Sequence, residues 1–146
     1  MNTPSDKTAT ILKWFAKISE IPRESKNEEA ISAWLSAWAE EHGFTARRDA
    51  VMNLVIEVPG SPGYENSPTV VIQGHMDMVC EKAKGSPHDF TKDPIKLVYD
   101  GDWLHADQTT LGADNGIAIA MAMTVATEPA TDPVTRAPDS IRAAIS

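Results

Sequence analysis

A single cysteine, three phenylalanines and two tyrosines are spread over 146 residues, and basic residues are outnumbered by acidic ones, 13 against 21. The lone Cys80 excludes an intramolecular disulfide and suits a reducing compartment. A net charge of −8 argues against nucleic-acid phosphates and anionic membranes as partners. No stretch approaches about 18 uninterrupted apolar residues, and no basic flank followed by an apolar core opens the chain, so neither a membrane span nor a secretion signal is expected. There is no glycine-rich phosphate loop, no serine nucleophile elbow, no internal repeat and no heptad pattern. These absences leave a soluble, cytoplasmic chain. Its length suffices for one domain burying roughly 68–70% of its unfolded surface, and its 42% apolar and 23% charged content is ordinary for a globular protein.

The periodicities that are present give the elements. Thr3-Pro4 predicts a helix start, with Ile11, Leu12, Phe15 and Ile18 as its apolar stripe and Pro22 as its terminator. Ser25-Lys26-Asn27-Glu28 reads as a capping box. A second helix follows, with Ile31, Trp34, Leu35 and Trp38 on one face and Gly43 as its left-handed C-terminal residue. Both helices read as packing elements, the tryptophans as core filler. Phe44–Asp49 and Met52–Val58 read as strands, and 61–68 as a Gly/Pro/Ser/Asn loop. Val70-Val71-Ile72 is apolar without alternation, as in a strand covered on both faces. Ile95–Tyr99 and Trp103–Ala106 flank Asp100-Gly101, a hairpin signal. From Ala126 to Ser146 there are three prolines, no aromatic residue and no sustained period, which predicts a disordered or poorly packed tail, with at most one helical turn at Ile141, Ala144 and Ile145.

Two segments carry chemistry. The run Thr69–Ile72 leads through Gln73-Gly74 into His75-Met76-Asp77, so a strand delivers an imidazole and a carboxylate at its carboxyl end, where open α/β sheets place their sites. Two residues apart on an extended backbone, His75 and Asp77 point to the same side. Neutral imidazole is a common metal ligand, and a nearby carboxylate can orient it. The second segment, Thr109-Thr110-Leu111-Gly112-Ala113-Asp114-Asn115-Gly116, leads into the helix-forming run Ile117–Val125. Asp114 thus stands at a helix N-terminus, where a carboxylate stays ionised and its two oxygens can bridge two cations. Each segment also has a plain reading: His75 and Asp77 as a surface pair, Asp114 as an N-cap. His88-Asp89 reads as a solvated loop, His105 as a strand residue facing solvent or packed edge-on, and Cys80 as a small buried hydrophobe in preference to a soft ligand.

Taken together, Gly74–Val79 and Thr109–Ile117 resemble the two N-terminal signatures of the aminoacyl-histidine dipeptidases, also called Xaa-His or cytosol non-specific dipeptidases, within the di-zinc M20-type metallopeptidases. The run from His88 to Ile95 and the hairpin after it match the same pattern. The resemblance extends from about Ile11 to about Val125. Gln108 departs from it, standing where glycine precedes the two threonines, which would strain that turn. The implied fold is α/β, the N-terminal part of a zinc-peptidase-like three-layer α/β/α catalytic domain with a mixed sheet, incomplete here. Residues 1–125 would form that part and 126–146 a divergent tail, with the lid and dimerisation domain absent.

The resemblance also implies roles. His75 would be a terminal ligand of one metal and Asp114 the ligand shared by both. Asp77 would orient His75 and tune the site, and the peptide after Asp114 would be cis. The metals would be two zinc ions, with manganese or cobalt as alternatives, and the reaction hydrolysis of a small dipeptide of Xaa-His type. A glutamate pair, a further acidic ligand and a histidine complete the family's centre downstream of the shared aspartate. After Asp114 this sequence has only Glu128, Asp132 and Asp139 as acids, and no histidine. Glu28-Glu29 and Glu40-Glu41 precede His75 and read as a solvated helix face. The expectation is therefore a first piece of a dipeptidase, cut short by a frameshift, an assembly error or gene decay, and inactive alone. The alternatives are a non-catalytic remnant or interaction module with one weak metal site, and a short enzyme completed by a second subunit. Substrate preference and oligomeric state are not legible.

Overall fold

The computed structural model describes residues 6–66 and 68–128, and the strand backbone of 140–145. In chain order the elements are α1 (Asp6–Ser19), α2 (Glu29–Glu41), β1 (Thr45–Arg48), β2 (Leu54–Pro59), β3 (Val70–Gly74), β4 (Leu97–Asp100), β5 (Trp103–Ala106), α3 (Ala113–Thr127) and β6 (Ser140–Ile145). The Thr3-Pro4 start of α1 lies outside the described residues. No helix among them is long and apolar enough to cross a membrane.

The stripes of α1 and α2 are buried as their spacing requires. Phe15 and Ile18 of α1 meet Ile31, Leu35 and Trp38 of α2 in one core. The alternation of β2 turns Leu54, Ile56 and Val58 into that core, and α3 adds Ile119, Ala120 and Met123. Burying each of the larger aliphatic or aromatic side chains contributes about 1.5–3 kcal/mol. Trp14, Trp38, His42 and Phe44 make an aromatic cluster beside this core, with the two indoles edge-on at 5.8 Å. The tryptophans are packing residues.

The sheet is mixed, in the order β1-β2-β6-β3. β1 pairs antiparallel with β2, β2 antiparallel with β6, and β6 parallel with β3, so that Gly74 stands level with Ile145. β4 and β5 form a separate hairpin whose two-residue loop is Gly101-Asp102, one residue later than the sequence suggests.

Several expectations are corrected here. Residues 140–145 do not lie in a loose tail or a helical turn: they form a central strand, because β2 and β3 offer a backbone ladder on both sides. α3 runs on to Thr127, and the intervening tail residues lie outside the described ones. β3 is the outermost strand of the described sheet, with Val70 39% and Val71 60% exposed, not a strand covered on both faces. The capping box does not form either. Glu28 is the N-cap of α2 without a side-chain cap bond, its carboxylate accepting from the Lys26 N–H instead, and the Ser25 hydroxyl is engaged by Asp77.

Gln108 occupies the left-handed region, φ +60°, at the turn just before Thr109-Thr110. A side chain there costs about 1–2 kcal/mol, while glycine's extra freedom in the unfolded chain returns about 0.5–1 kcal/mol. Gln108→Gly is therefore expected to raise stability by up to about 1 kcal/mol, read as a higher midpoint of thermal unfolding. A lowered midpoint would refute the strain.

Candidate metal centre

β3 ends at Gly74, and the next three residues turn across the carboxyl end of the sheet. Met76 packs into the core at 0% exposure, which leaves His75 and Asp77 facing outward on either side of it. The Asp77 carboxylate oxygen Oδ1 lies 2.9 Å from His75 Nδ1. The other imidazole nitrogen, Nε2, lies 3.1 Å from Asp114 Oδ1. Residues 39 positions apart are thus brought to one point.

Asp114 reaches it through an unusual helix start. Gly112 adopts a left-handed conformation, φ +69°, and Asp114 and Asn115 depart from helical angles, so regular helix runs from Gly116. The Asp114–Asn115 peptide is cis. No side-chain cap bond is made at this terminus, so the plain N-cap reading of Asp114 does not describe it. The Asp114 side chain is 95% exposed, and among the described residues nothing engages its second oxygen.

Beneath the site lies a charged residue that the sequence did not single out. Arg23 is 1% exposed. It donates from Nη1 to the carbonyls of Met76 (3.1 Å) and Asp77 (3.4 Å), and from Nη2 to that of Gly112 (2.7 Å). Burial lowers its guanidinium to about 10, against the pull of Cys80 and Asp77, so it is still charged at neutral pH. Ser25, two residues on, donates its hydroxyl to Asp77 Oδ2. Neither role had a local signal. Ile21-Pro22-Arg23 looks like a helix stop, and Ser25 looks like half of a capping box.

These contacts set the charge states. The Asp77 carboxyl is held below its ordinary value, first by the Ser25 hydroxyl and then by His75, against some desolvation. Partial burial pulls the His75 imidazole down, but the bonds to Asp114 and Asp77 outweigh it and raise the net value above 6.5. Raised in the folded state, His75 stabilises the fold fully below pH 6.5, and that contribution is lost as pH rises through the native value. The side chain is 42% exposed, so solvent screens the pair and the effect on stability is small. Asp77→Asn is expected to lower the His75 titration midpoint followed by NMR; an unchanged or higher midpoint would mean that Asp77 does not engage the ring.

The pair fits a metal in kind and spacing. One imidazole nitrogen and one carboxylate oxygen suit zinc and its neighbours. Their 3.1 Å separation is close to the ligand–ligand edge of tetrahedral zinc, about 3.3 Å for bonds of about 2.0–2.1 Å. Asp77 faces the far nitrogen, as groups that orient metal-bound histidines do. Two donors fall short of the three that a catalytic zinc takes, and among the described residues no group of three or more His, Cys, Asp or Glu could hold a metal ion. The other histidines stand apart: His88 lies edge-on to Phe90 and His105 is exposed in β5. Cys80 is half-buried, its thiol raised first by burial and then by Glu24.

Known proteins resemble the chain in sequence and in fold. Over 111 residues, 76% of the chain, the sequence is 50% identical to the cytosol non-specific dipeptidase of Escherichia coli K12. The structure superposes on the aminoacylhistidine dipeptidase of Vibrio alginolyticus with a TM-score of 0.84 at 41% identity, covering 94% of this chain. The chain matches the N-terminal portion of the aminoacyl-histidine dipeptidases. It spans 23% of the length of the first of these dipeptidases and 27% of the second. The aminopeptidase PepT of Bacillus cereus, at 20% identity and a TM-score of 0.72 over 94% of this chain and 36% of its own, shares the fold of the dipeptidase portion. No family model matches the chain. Against the dipeptidases, the mixed α/β architecture is that of their catalytic domain, represented here in part.

Proposed function

We propose that this chain supplies one imidazole and the shared carboxylate of a binuclear dipeptidase centre, His75 and Asp114, with Asp77 orienting the imidazole. The observation that carries the reading is the meeting of His75 Nε2 and Asp114 Oδ1 at 3.1 Å while Nδ1 is occupied by Asp77. When bound, a pair of divalent cations would polarise a scissile carbonyl and lower the pKa of bound water. The chain's own part is positional. Asp77, steadied by Ser25, holds the Nδ1–H, so that Nε2 is the ring nitrogen presented to the metal. Asp114 keeps its second oxygen toward solvent, available to a second ion. Zinc, or manganese or cobalt, suits this donor set. A small Xaa-His-type dipeptide is the substrate we assign to the completed centre, and a cytoplasmic setting goes with the cytosolic relative.

By itself the polypeptide is read as binding one metal weakly and hydrolysing nothing, because the pair lacks a third donor among the described residues. Calorimetric titration with zinc, cobalt or manganese is expected to give one weak equivalent, and Xaa-His dipeptide with added metal is expected to stay intact. Two tight equivalents or turnover would overturn the inactive reading. The absence of any binding would overturn the metal role.

An interaction module is the second reading, favoured by α3. From Ala113 to Thr127 Asp114 is its only charged residue, yet Met121 is 50% and Val125 38% exposed. A helix apolar all round is ordinarily buried all round. A monodisperse monomer in solution would count against this reading.

A further inference from the structure

The two signature segments come from different parts of the chain, and the geometry points to Arg23 as the residue that fixes their distance. Arg23 is a positioning residue. Its guanidinium makes no contact with the side chains of His75 or Asp114. It takes the carbonyl of Met76, the residue after His75, and the carbonyl of Asp77, both on one loop. With its other terminal nitrogen it takes the carbonyl of Gly112, two residues before Asp114, on the other loop. A planar fork with several donors in fixed directions is suited to spanning two carbonyl sets, whereas an ammonium is a point charge on a flexible stem.

The surroundings are shaped around this fork. A methyl group on Gly112 would stand 2.5 Å from Arg23 Nη2, and one on Gly116 would stand 2.9 Å from the same atom. Both glycines of the second signature therefore make room for the guanidinium. The backbone on either side of Arg23 is tied to the first signature as well: Met78 N–H donates to the Arg23 carbonyl at 2.9 Å, and Glu24 bridges to Met78. With Ser25 on Asp77, the segment 23–25 grips the His75 loop from below and from the side. A charge buried to 1% exposure is costly unless its donors are satisfied. Three hydrogen bonds from its terminal nitrogens answer that requirement, Nε alone finding no partner among the described residues, and with the Ser25 and Met78 bonds their joint product is the 3.1 Å approach of Nε2 to Oδ1.

The test compares the full chain with Arg23→Lys, and with Asp114→Asn as the reference for a lost imidazole–carboxylate contact. Two readouts are taken: the His75 Nε2 nitrogen shift by NMR without metal, and zinc affinity by calorimetry. The zinc arm rests on the function proposed above, while the nitrogen shift does not. Arg23→Lys is expected to keep its helical circular dichroism and yet move the His75 Nε2 signal to the Asp114→Asn position, with zinc bound about 10–100-fold more weakly. If the parent chain binds no zinc but the nitrogen signal moves, the metal role fails and the positioning role stands. A folded Arg23→Lys chain with an unmoved His75 signal overturns the proposal. Should Arg23→Lys not fold, Gly116→Ala takes its place, since its methyl would press on Arg23 Nη2 and on Phe15 at 3.0 Å. A moved His75 nitrogen signal in that variant supports the positioning role, and an unmoved one overturns it.

Discussion

Asp114→Asn is expected to weaken metal binding by more than about 100-fold while leaving the thermal midpoint nearly unchanged. The two halves of this result have separate causes. Partners that merely orient a metal-bound histidine are worth about 10–100-fold in affinity, and Asp114 contributes the donor oxygen and a full negative charge directly. An amide of the same shape supplies neither the charge nor two equivalent oxygens. Stability is a different matter, because the side chain is 95% exposed and its contact is with an imidazole that is itself 42% exposed. Surface substitutions of that kind stay within about 0.5 kcal/mol. Titration with zinc or cobalt, alongside a melting curve, checks both. Undiminished affinity would remove Asp114 from the centre, and a collapsed fold would show that its role is structural.

The second large effect is on stability. Gly112→Ala is expected to cost about 3 kcal/mol, a fall of roughly 10 °C in Tm. At φ +69° any side chain meets the left-handed penalty of about 1–2 kcal/mol. The added methyl would also stand 2.5 Å from Arg23 Nη2 and 2.7 Å from Met78 Sδ, both buried. Overpacking of that kind adds about 1–3 kcal/mol. Gly43 is the control. Its φ is +77°, but nothing lies within 4 Å of a methyl there, so Gly43→Ala should carry the conformational penalty alone. Equal losses at the two positions would show that the contact with Arg23 and Met78 contributes nothing.

How much of this was legible depended on whether the deciding interaction was local. The apolar spacing of Phe15, Ile18, Ile31 and Leu35 is a property of a few turns, and the core follows it. His75, Asp77 and Asp114 stood out because strand, glycine and helix signals bracket them, and the structure brings all three together. β6 was illegible. Its six residues carry no periodicity strong enough to compete with the prolines before it, and its place between β2 and β3 is set by their free backbone groups. β3 was misread for the complementary reason: an apolar run states what a strand could bury, not whether a neighbour is there to bury it. Arg23 had no signal at all, since its partners are carbonyls 53 to 89 residues away.

The direction of β6 has a practical corollary for anyone measuring metals on this polypeptide. The strand points the same way as β3, and Ile145 sits abreast of Gly74, the residue just ahead of His75. A hexahistidine tag fused at the carboxyl end would be launched from the same rim as the imidazole, and could lend the very donors whose number is in question. The start of α1 lies elsewhere, its Lys7 paired with Glu128 beyond the end of α3 opposite Asp114, so a tag placed ahead of α1 starts away from that rim and stoichiometries from the two placements should differ.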